Sequence, residues 1–422
     1  MLSRASLALE VTYTPTMSRR DGVVLVVVFV VSRLLVGWIA ITPDAYDAGG
    51  IVPASDVGSY FTWGHQLVNE NQRAYTDVRI EYPPGSLPFM ALPVIGGPDG
   101  QAYLPRFVAT MAAIDALGFV AVLLLARRWG SKMGAWFWIA AIPLLGPTAY
   151  LRLDLVPAVA TLWAVERGAA RDWVVSGGAL AFGAISKLYP VLLAPAGLII
   201  ARRRWPFALG FLGVVGALML PFVTNLGDVA SSVLGYHADR GIQVESLWGG
   251  SLFVASLFGY DQANVGFSFG ALHFDGGISG ALDTLSSIVS LAVAGFGIWL
   301  ATRVERDDGV GMAEVWFAGL MLSLAVGSVF SPQFLVWAFA LAAPVLCVPN
   351  SRLRRQGLTL LPIAAITQIL FPFLYADLLA GSPGPVFLLA VRNLLVLWIG
   401  VSAAVTIVGN RREPLPEVAP AS

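Results

Sequence analysis

Apolar runs long enough to cross a lipid bilayer recur along almost the whole sequence. The first extends from Gly22 to Ile41, and a helix needs about 20 apolar residues to span the hydrocarbon core. The chain is 57% hydrophobic and 12% charged, whereas soluble domains carry about a quarter charged residues. The runs are continuous and lack the strict alternation expected of an outer-membrane barrel. The sequence therefore predicts an all-α integral membrane protein, a polytopic helical bundle.

About twelve transmembrane helices are predicted from the apolar runs and the charged breaks between them. They lie near 22–42, 104–126, 134–149, 153–166, 173–187, 189–201, 206–224, 281–302, 312–330, 333–349, 358–375 and 385–409. The first run is too long for the apolar core of a signal peptide, so we expect a retained helix. Residues 1–21 and 410–422 are then tails that flank one transmembrane domain over 22–409. Two connections are long, at about 43–103 and 225–280.

The distribution of basic residues predicts the orientation of the chain. If the N-terminus is cytoplasmic, the inner turns are short and carry the clusters Arg127–Arg128, Arg202–Arg204, Arg352–Arg355 and Arg411–Arg412. Basic residues are enriched in cytoplasmic loops, so we expect both termini inside and both long loops outside. Lysine occurs only at Lys132 and Lys187, which together with the abundance of Ala, Val and Gly indicates a bacterial protein. We therefore predict a multi-pass protein of the bacterial plasma membrane with its working face outward.

Composition argues against several kinds of site. The net charge is zero, and Cys347 is the single cysteine, so the sequence offers no disulfide framework. The three histidines are scattered without ligand-like spacing, and no phosphate-binding glycine loop with the required context occurs. We predict no metal site, no cofactor and no nucleic-acid partner.

Six polar or proline-containing stretches fall on the predicted outer side. They are SDVGSYFTWG at 55–64, EYPPGSLP at 81–88, LRLDLVPA at 151–158, SKLYP at 186–190, GYHADRGIQVESLWGG at 235–250 and FSPQFLVW at 330–337. A charge at membrane depth costs about 2.5–3.5 kcal/mol on insertion scales, so these charges require partners or a task. Carboxylates beside cations suit a reaction in which a base works next to a bound phosphate.

The stretch at 81–93 predicts how one such group is held. Pro83 and Pro84 favour extended backbone, and Pro88 and Pro93 interrupt the apolar residues before they reach spanning length. We expect this segment to lie along the interface or to re-enter the membrane, with Glu81 at headgroup depth. That depth suits a substrate whose polar head is attached to a lipid.

In this order, the six stretches resemble the largely actinobacterial membrane glycosyltransferases of family 87, over about residues 20–410. The resemblance implies a GT-C fold whose first long outer loop carries the catalytic aspartate. It implies transfer of a sugar, often mannose, from a polyprenyl-phosphate donor to a lipid or cell-envelope glycan acceptor, with inversion. The family's aspartate and a following tyrosine map to Asp56 and Tyr60. Phosphatidylinositol-mannoside-type members carry a histidine after the late Ser-Pro, whereas Gln333 and Phe334 stand here, so the acceptor and the sugar stay open.

Roles for the polar residues follow from this resemblance and from the residue types. We predict that Asp56 is the catalytic base. The donor phosphate is assigned to the cations Lys187, Arg240 and Arg152 and to His237. Further substrate contacts are assigned to Tyr60, Glu81, Tyr82, Asp154, Tyr189, Glu245 and Gln333.

Each assignment has a structural alternative that the sequence leaves open. Asp56 fits a helix N-cap, and Lys187 fits a side chain that snorkels to the interface. Glu81 and the charges at 237–245 fit solvated loops, whereas Arg152 and Asp154 fit ion pairs with neighbours. Gln333 fits a residue that shapes a turn. Outside the site, Arg33 and Arg392 fit internal ion pairs or snorkelling, and Asp115 fits a packed polar group.

Two other functions are also compatible with a chain of this kind. A transporter or lipid flippase predicts two related halves with paired broken helices and polar residues at the membrane midplane. The sequence shows neither, because its polar stretches fall on one predicted face. An inert assembly partner of another enzyme is the third hypothesis.

Overall fold

The computed structural model describes residues 18–42, 55–95, 97, 100–236, 240–260, 264–305 and 308–409. The α-helices are α1 (Arg19–Ile41), α2 (Ser55–Val68), α3 (Leu87–Ala91), α4 (Gly100–Trp129), α5 (Met133–Leu145), α6 (Leu155–Ala169), α7 (Trp173–Ser186), α8 (Ala194–Ile200), α9 (Arg204–Met219), α10 (Leu226–Ala230), α11 (Leu247–Ser256), α12 (Ser279–Ala301), α13 (Gly309–Val326), α14 (Leu335–Leu346), α15 (Arg354–Gln368), α16 (Tyr375–Leu379) and α17 (Pro383–Gly409). Short 3-10 and π turns extend several of them.

The predicted helical membrane fold is confirmed. Each of the twelve predicted segments contains a helix, and within the described residues seven helices are long and apolar enough to cross a membrane. They are Arg19–Ile41, Ala102–Trp129, Arg204–Gly235, Ser279–Ala301, Gly309–Val326, Arg354–Phe373 and Pro383–Gly409. The other predicted segments form shorter helices, which fall below the about 20 residues that a full crossing needs.

The helices form a buried centre with an exposed periphery. Helices α6 and α14 are buried along almost their whole length, and 89% of the apolar window of α13 is inside the protein. In contrast, only 6% of the apolar window over Arg204–Gly235 is buried. Such a helix is apolar on all sides because lipid, rather than water, is the solvent for its outer face.

Helices α7 and α9 approach each other through glycines. A Cβ atom at Gly177 would lie 2.1 Å from the carbonyl oxygen of Phe207, and one at Gly210 would lie 2.0 Å from that of Val174. No larger residue fits at either position without moving a backbone. Small residues at helix contacts are the usual means of close packing in membranes, where no hydrophobic force favours association.

A three-stranded antiparallel sheet in the second long loop was not predicted. Strands β1 (Ile242–Gln243), β2 (Asn264–Ser268) and β3 (Ala271–Asp275) are arranged in the order β1-β3-β2. The hairpin between β2 and β3 turns at Phe269 (φ 50°) and Gly270 (φ 68°). Two positive φ angles are typical of a type I′ hairpin turn. The usual sequence signal is Asn-Gly or Asp-Gly, and Phe-Gly does not provide it.

A buried ion pair joins α1 to α4. Arg33 Nε lies 2.6 Å from Asp115 Oδ2, and the Trp138 indole and the Tyr150 hydroxyl donate to the same carboxylate, each at 2.7 Å. The Arg33 guanidinium also donates to the carbonyl oxygens of Trp138 and Ile139. Arg33 is therefore an internal ion-pair residue and does not snorkel, and Asp115 is a packed polar group.

A second buried ion pair ties the loop after β1 to α17. Arg392 Nη1 lies 2.9 Å from Glu245 Oε2, and Arg392 Nη2 donates to the Glu245 carbonyl oxygen. Asn393 next to it donates to the Ser246 carbonyl oxygen at 3.0 Å. The side chains of Arg392 and Glu245 are 0% and 3% exposed, so each charge depends on the other for compensation.

The substitution Arg392→Met should lower the free energy of unfolding by about 3–5 kcal/mol, because it leaves the Glu245 carboxylate buried without its cation. Denaturant unfolding in detergent measures the change. Arg73→Met is the matched control, because the Arg73 side chain is 74% exposed and pairs with Asp77 on the surface, where a pair contributes at most about 1 kcal/mol. Equal effects of the two substitutions would contradict this account of the pair.

Candidate active site

A cavity of about 640 Å³ lies where the polar stretches of the sequence meet. Its lining comes from α2, the proline-rich stretch at 81–83, the turn after α7, the second long loop and the turn before α14. The predicted site residues that line it are Asp56, Tyr60, Glu81, Tyr82, Lys187, Tyr189, Arg240 and Gln333. The cavity therefore brings together residues that lie far apart in the sequence.

Helix α2 contributes one continuous stripe to the cavity. Asp56, Ser59, Tyr60 and Trp63 line it at the spacing i, i+3, i+4 and i+7, which places side chains on one helical face. Asp56 lies inside the first turn of α2 and does not precede the helix, so the N-cap alternative does not describe it. A carboxylate there is stabilised by the helix dipole.

The proline-rich stretch is held against the end of α7. Pro83 is extended (φ −64°, ψ 162°), and a 3-10 turn begins at Pro84. The Ser86 hydroxyl donates to the Ser186 carbonyl oxygen at 2.6 Å. A Cβ atom at Gly85 would lie 2.7 Å from Ile185 Cγ2, so only glycine fits there. The helical residues 84–94 span too short a length to cross a membrane, as the prolines predicted.

Asp56 forms an ion pair with Arg152. Arg152 Nε lies 2.9 Å from Asp56 Oδ2, and the two side chains are 7% and 29% exposed, respectively. Arg152 does not line the cavity, whereas Asp56 does. The arginine therefore lies behind the aspartate, where it fixes the carboxylate and compensates its charge.

Asp154 forms the equivalent pair with Lys187. Lys187 Nζ donates to both carboxylate oxygens at 2.8 and 2.9 Å, and Asp154 is fully buried. The same ammonium lies 5.4 Å from the centre of the Tyr82 ring and 5.3 Å from the Phe334 and Trp337 rings, within cation–π range. Lys187 is thus fixed at the cavity wall and does not snorkel.

The tyrosines that line the cavity are joined to each other and to the aromatic wall. The Tyr60 and Tyr82 hydroxyls lie 2.9 Å apart, and burial raises the pKa of both well above the ordinary value, so they stay neutral. Tyr189 stacks on Trp337 at 4.1 Å, and Trp337 stacks on Phe334 at 4.1 Å. These stacked rings form an aromatic side of the cavity.

The second long loop closes another side of the cavity. Arg240 Nη2 donates to the Phe269 carbonyl oxygen at 2.8 Å, and its guanidinium lies 5.0 Å from the Tyr236 ring centre. Phe267, Phe269 and Gly270 at the tip of the β2–β3 hairpin complete this wall. The site therefore includes hairpin residues that sequence reasoning missed.

Glu81 belongs to the first long loop and lines the cavity together with Tyr236 and Arg240 of the second long loop. Burial raises the pKa of Glu81 above its ordinary value, and the Tyr236 hydroxyl and the Arg240 guanidinium beside it act in the opposite direction. Glu81 is therefore not a freely solvated loop charge. Gln333 lies in a 3-10 turn over Pro332–Phe334 and also lines the cavity.

Some predicted site residues lie elsewhere. Glu245 does not line the cavity, and its carboxylate forms a buried ion pair with Arg392. Arg152 and Asp154 do not line the cavity, and they pair with separate lining residues, Asp56 and Lys187. His237 lies outside the described residues. Within the described ranges, no group of three or more His, Cys, Asp or Glu side chains could hold a metal ion.

Solved structures that are similar to this chain include the following three. ArnT from Cupriavidus metallidurans bound to undecaprenyl phosphate has 17% identity and a TM-score of 0.49, over 91% of this chain and 77% of that chain. The Archaeoglobus fulgidus oligosaccharyltransferase tethered to an acceptor peptide has 12% identity and a TM-score of 0.42, over 91% of this chain and 55% of that one. Its apo form has 14% identity and a TM-score of 0.42, over 91% and 56%. The chain thus spans about half the length of that transferase. No protein-family model and no curated protein matches the sequence.

The substitution Gly85→Ala should destabilise the protein by about 1–3 kcal/mol, because the added methyl group collides with Ile185 and Ser186. Thermal unfolding in detergent measures the loss. Gly58→Ala is the control, since a Cβ atom at Gly58 on α2 meets nothing within 4 Å and alanine favours a helix over glycine. A Gly85→Ala protein as stable as the Gly58→Ala protein would contradict the close contact between residues 84–86 and α7.

Proposed function

We propose that the protein is a membrane glycosyltransferase that moves a sugar, mannose in the first instance, from a polyprenyl-phosphate donor to a lipid or cell-envelope glycan acceptor. The observation that carries the proposal is the composition of the cavity. A carboxylate paired to a buried arginine, Asp56, lines the same space as the cations Lys187 and Arg240. A base and a phosphate-binding pair are the two devices that such a transfer requires.

In the proposed reaction, Asp56 accepts the proton of the acceptor hydroxyl as that oxygen attacks the anomeric carbon. The ion pair with Arg152 fixes the direction of the carboxylate, so the proton acceptor is already in place when the acceptor arrives. The phosphate leaves from the opposite side of the carbon. A single displacement of this kind inverts the configuration at that carbon.

Lys187 and Arg240 are proposed to bind the donor phosphate from two sides. Asp154 holds the Lys187 ammonium in position through both carboxylate oxygens, and the Phe269 carbonyl oxygen does the same for Arg240. Cations fixed before the substrate binds stabilise the charge that develops on the leaving phosphate. This arrangement makes Asp154 a positioning residue for the phosphate site.

The size and walls of the cavity suit a sugar phosphate. A volume of about 640 Å³ falls within the roughly 300–1,000 Å³ of small-molecule sites. The rings of Trp63, Tyr82, Phe334 and Trp337 offer apolar surface, and Gln333 offers an amide for hydroxyl groups. Apart from the stripe on α2 and Trp337 in α14, most lining residues lie in turns and loops at helix ends. A transporter site is instead expected in broken helices at the midplane.

Asp56→Asn should reduce sugar transfer by a factor of about 10² to 10⁴, the usual contribution of a general base. The assay measures turnover of polyprenyl-phosphate mannose by purified protein with membrane lipid extract as the acceptor source. Asp77→Asn is the control, because Asp77 is an exposed aspartate of the same loop that pairs with Arg73 on the surface. If Asp56→Asn transfers sugar as fast as the wild type, Asp56 is not the catalytic base. If the wild type transfers no sugar, the proposed function is wrong.

The proposed orientation places the cavity on the extracytoplasmic face of the membrane, where polyprenyl-linked donors are used in the implied reaction. In a Cys347→Ala background, a membrane-impermeant maleimide should label Glu70→Cys in intact cells. Arg202→Cys should be labelled only after the membrane is permeabilised, because it lies at the other end of the bundle in the predicted topology. Both side chains are exposed in the structure. The reverse pattern of labelling would contradict the orientation.

A further inference from the structure

The charged side chains around the cavity are arranged in balanced pairs within the described residues. Asp56 is paired with Arg152, and Asp154 is paired with Lys187. Glu81 lies beside Arg240 and the Tyr236 hydroxyl. With all of these groups ionised, the walls carry no surplus positive charge for an anionic ligand.

A phosphodiester donor brings one negative charge into this balanced site. Like charges that share a site disfavour each other's ionised form, so the less stabilised of two negative groups is the one that takes up a proton. The Asp154 carboxylate is fully buried and held through both oxygens by Lys187, and Asp56 is held by Arg152 at 2.9 Å. Glu81 is therefore the carboxylate on which the proton is expected.

The groups that face Glu81 support this assignment. From α2 it faces the negative charge of Asp56, and from the turn after α7 it faces Lys187. The second loop adds Tyr236 and Arg240. Burial is the largest influence on this carboxyl group, and it favours the neutral form. A phosphate bound between Lys187 and Arg240 engages the two cations that otherwise favour the carboxylate, so protonation of Glu81 and donor binding reinforce each other.

We propose that Glu81 is a catalytic acid that carries a proton in the donor complex and delivers it to the leaving phosphate. This inference rests on the proposed function and adds a second proton-transfer residue to it. Asp56 and Glu81 then divide the work of base and acid because their surroundings differ.

The proposed step balances in atoms and charge. The acceptor oxygen forms the bond to the anomeric carbon and loses its proton to Asp56. The bond between that carbon and the phosphate oxygen breaks, and its electron pair stays on the phosphate. The phosphate monoester takes the proton of Glu81 and leaves as a monoanion. Asp56 then releases a proton to water and Glu81 recovers one, so no other reactant is consumed.

The test compares the pH dependence of kcat in the wild type and in Glu81→Gln, with polyprenyl-phosphate mannose as donor. The wild-type rate should fall as the pH rises through the ionisation of Glu81, because the ionised form cannot donate. Glu81→Gln should lose about 10²-fold or more in kcat and should lack that alkaline decrease, because its amide neither donates a proton to phosphate nor titrates. Glu81→Asp should restore an alkaline decrease. Glu70→Gln, on the same loop and paired with His65 away from the cavity, is the control and should match the wild type.

A second readout separates proton donation from a purely structural role. Donor binding is measured by titration calorimetry in buffers of different ionisation enthalpy. The wild type should take up protons on binding, and Glu81→Gln should bind the donor with less uptake. Suppose that the wild type turns over the donor, and that Glu81→Gln keeps the same alkaline decrease and the same proton uptake. The proposed role of Glu81 would then be wrong, while the proposed function would stand. Absence of turnover by the wild type would instead overturn the proposed function.

Discussion

The structure depends on the rule that a charge removed from water must have a partner. Arg152 and Asp154, two residues apart before α6, extend to different elements, Asp56 on α2 and Lys187 after α7. An ion left unpaired at such a position costs several kcal/mol. Removing one member of either pair should therefore destabilise the contact between α2 or the end of α7 and the turn at residues 152–154. This short turn therefore determines where the first loop and the end of α7 meet. The cavity lies at this meeting point, and the second long loop and the turn before α14 close it.

The same rule separates the buried charges that join elements from the charges that we propose act on substrate. Arg33 with Asp115 and Arg392 with Glu245 are buried pairs that do not line the cavity, and they join helices or loops. At the cavity, by contrast, Asp56 and Lys187 line the open space while their partners Arg152 and Asp154 lie behind them. A pair of this form holds a reactive group in a fixed direction without covering it. That difference in geometry is the physical basis for assigning chemistry to Asp56 and Lys187.

The sequence predicted the helices and much of the cavity, because each signal was local or depended on charge. Apolar runs predict the helices. The polar stretch around Asp56 and the prolines after Glu81 predict a segment of the first long loop that does not cross the membrane. Glu245 was assigned to the site, but it does not line the cavity. Its partner Arg392 is 147 positions away, so no local sequence signal indicates the buried ion pair. The β2–β3 hairpin at the cavity wall was not predicted for a related reason. Phe269 and Gly270 are not a usual turn sequence, and the hairpin's contact with Arg240 joins residues far apart in the chain.

A structure of the purified protein with bound polyprenyl monophosphate tests the central claim most directly, because this lipid is the product that the proposed reaction releases. We predict phosphate density in the cavity, with oxygens about 2.7–3 Å from Lys187 Nζ and from the Arg240 guanidinium, as in charge-assisted hydrogen bonds. The polyprenyl chain should leave toward the bilayer. A phosphate bound at the opposite end of the bundle, near Arg202–Arg204, with the cavity beside Asp56 unaltered, would contradict the account.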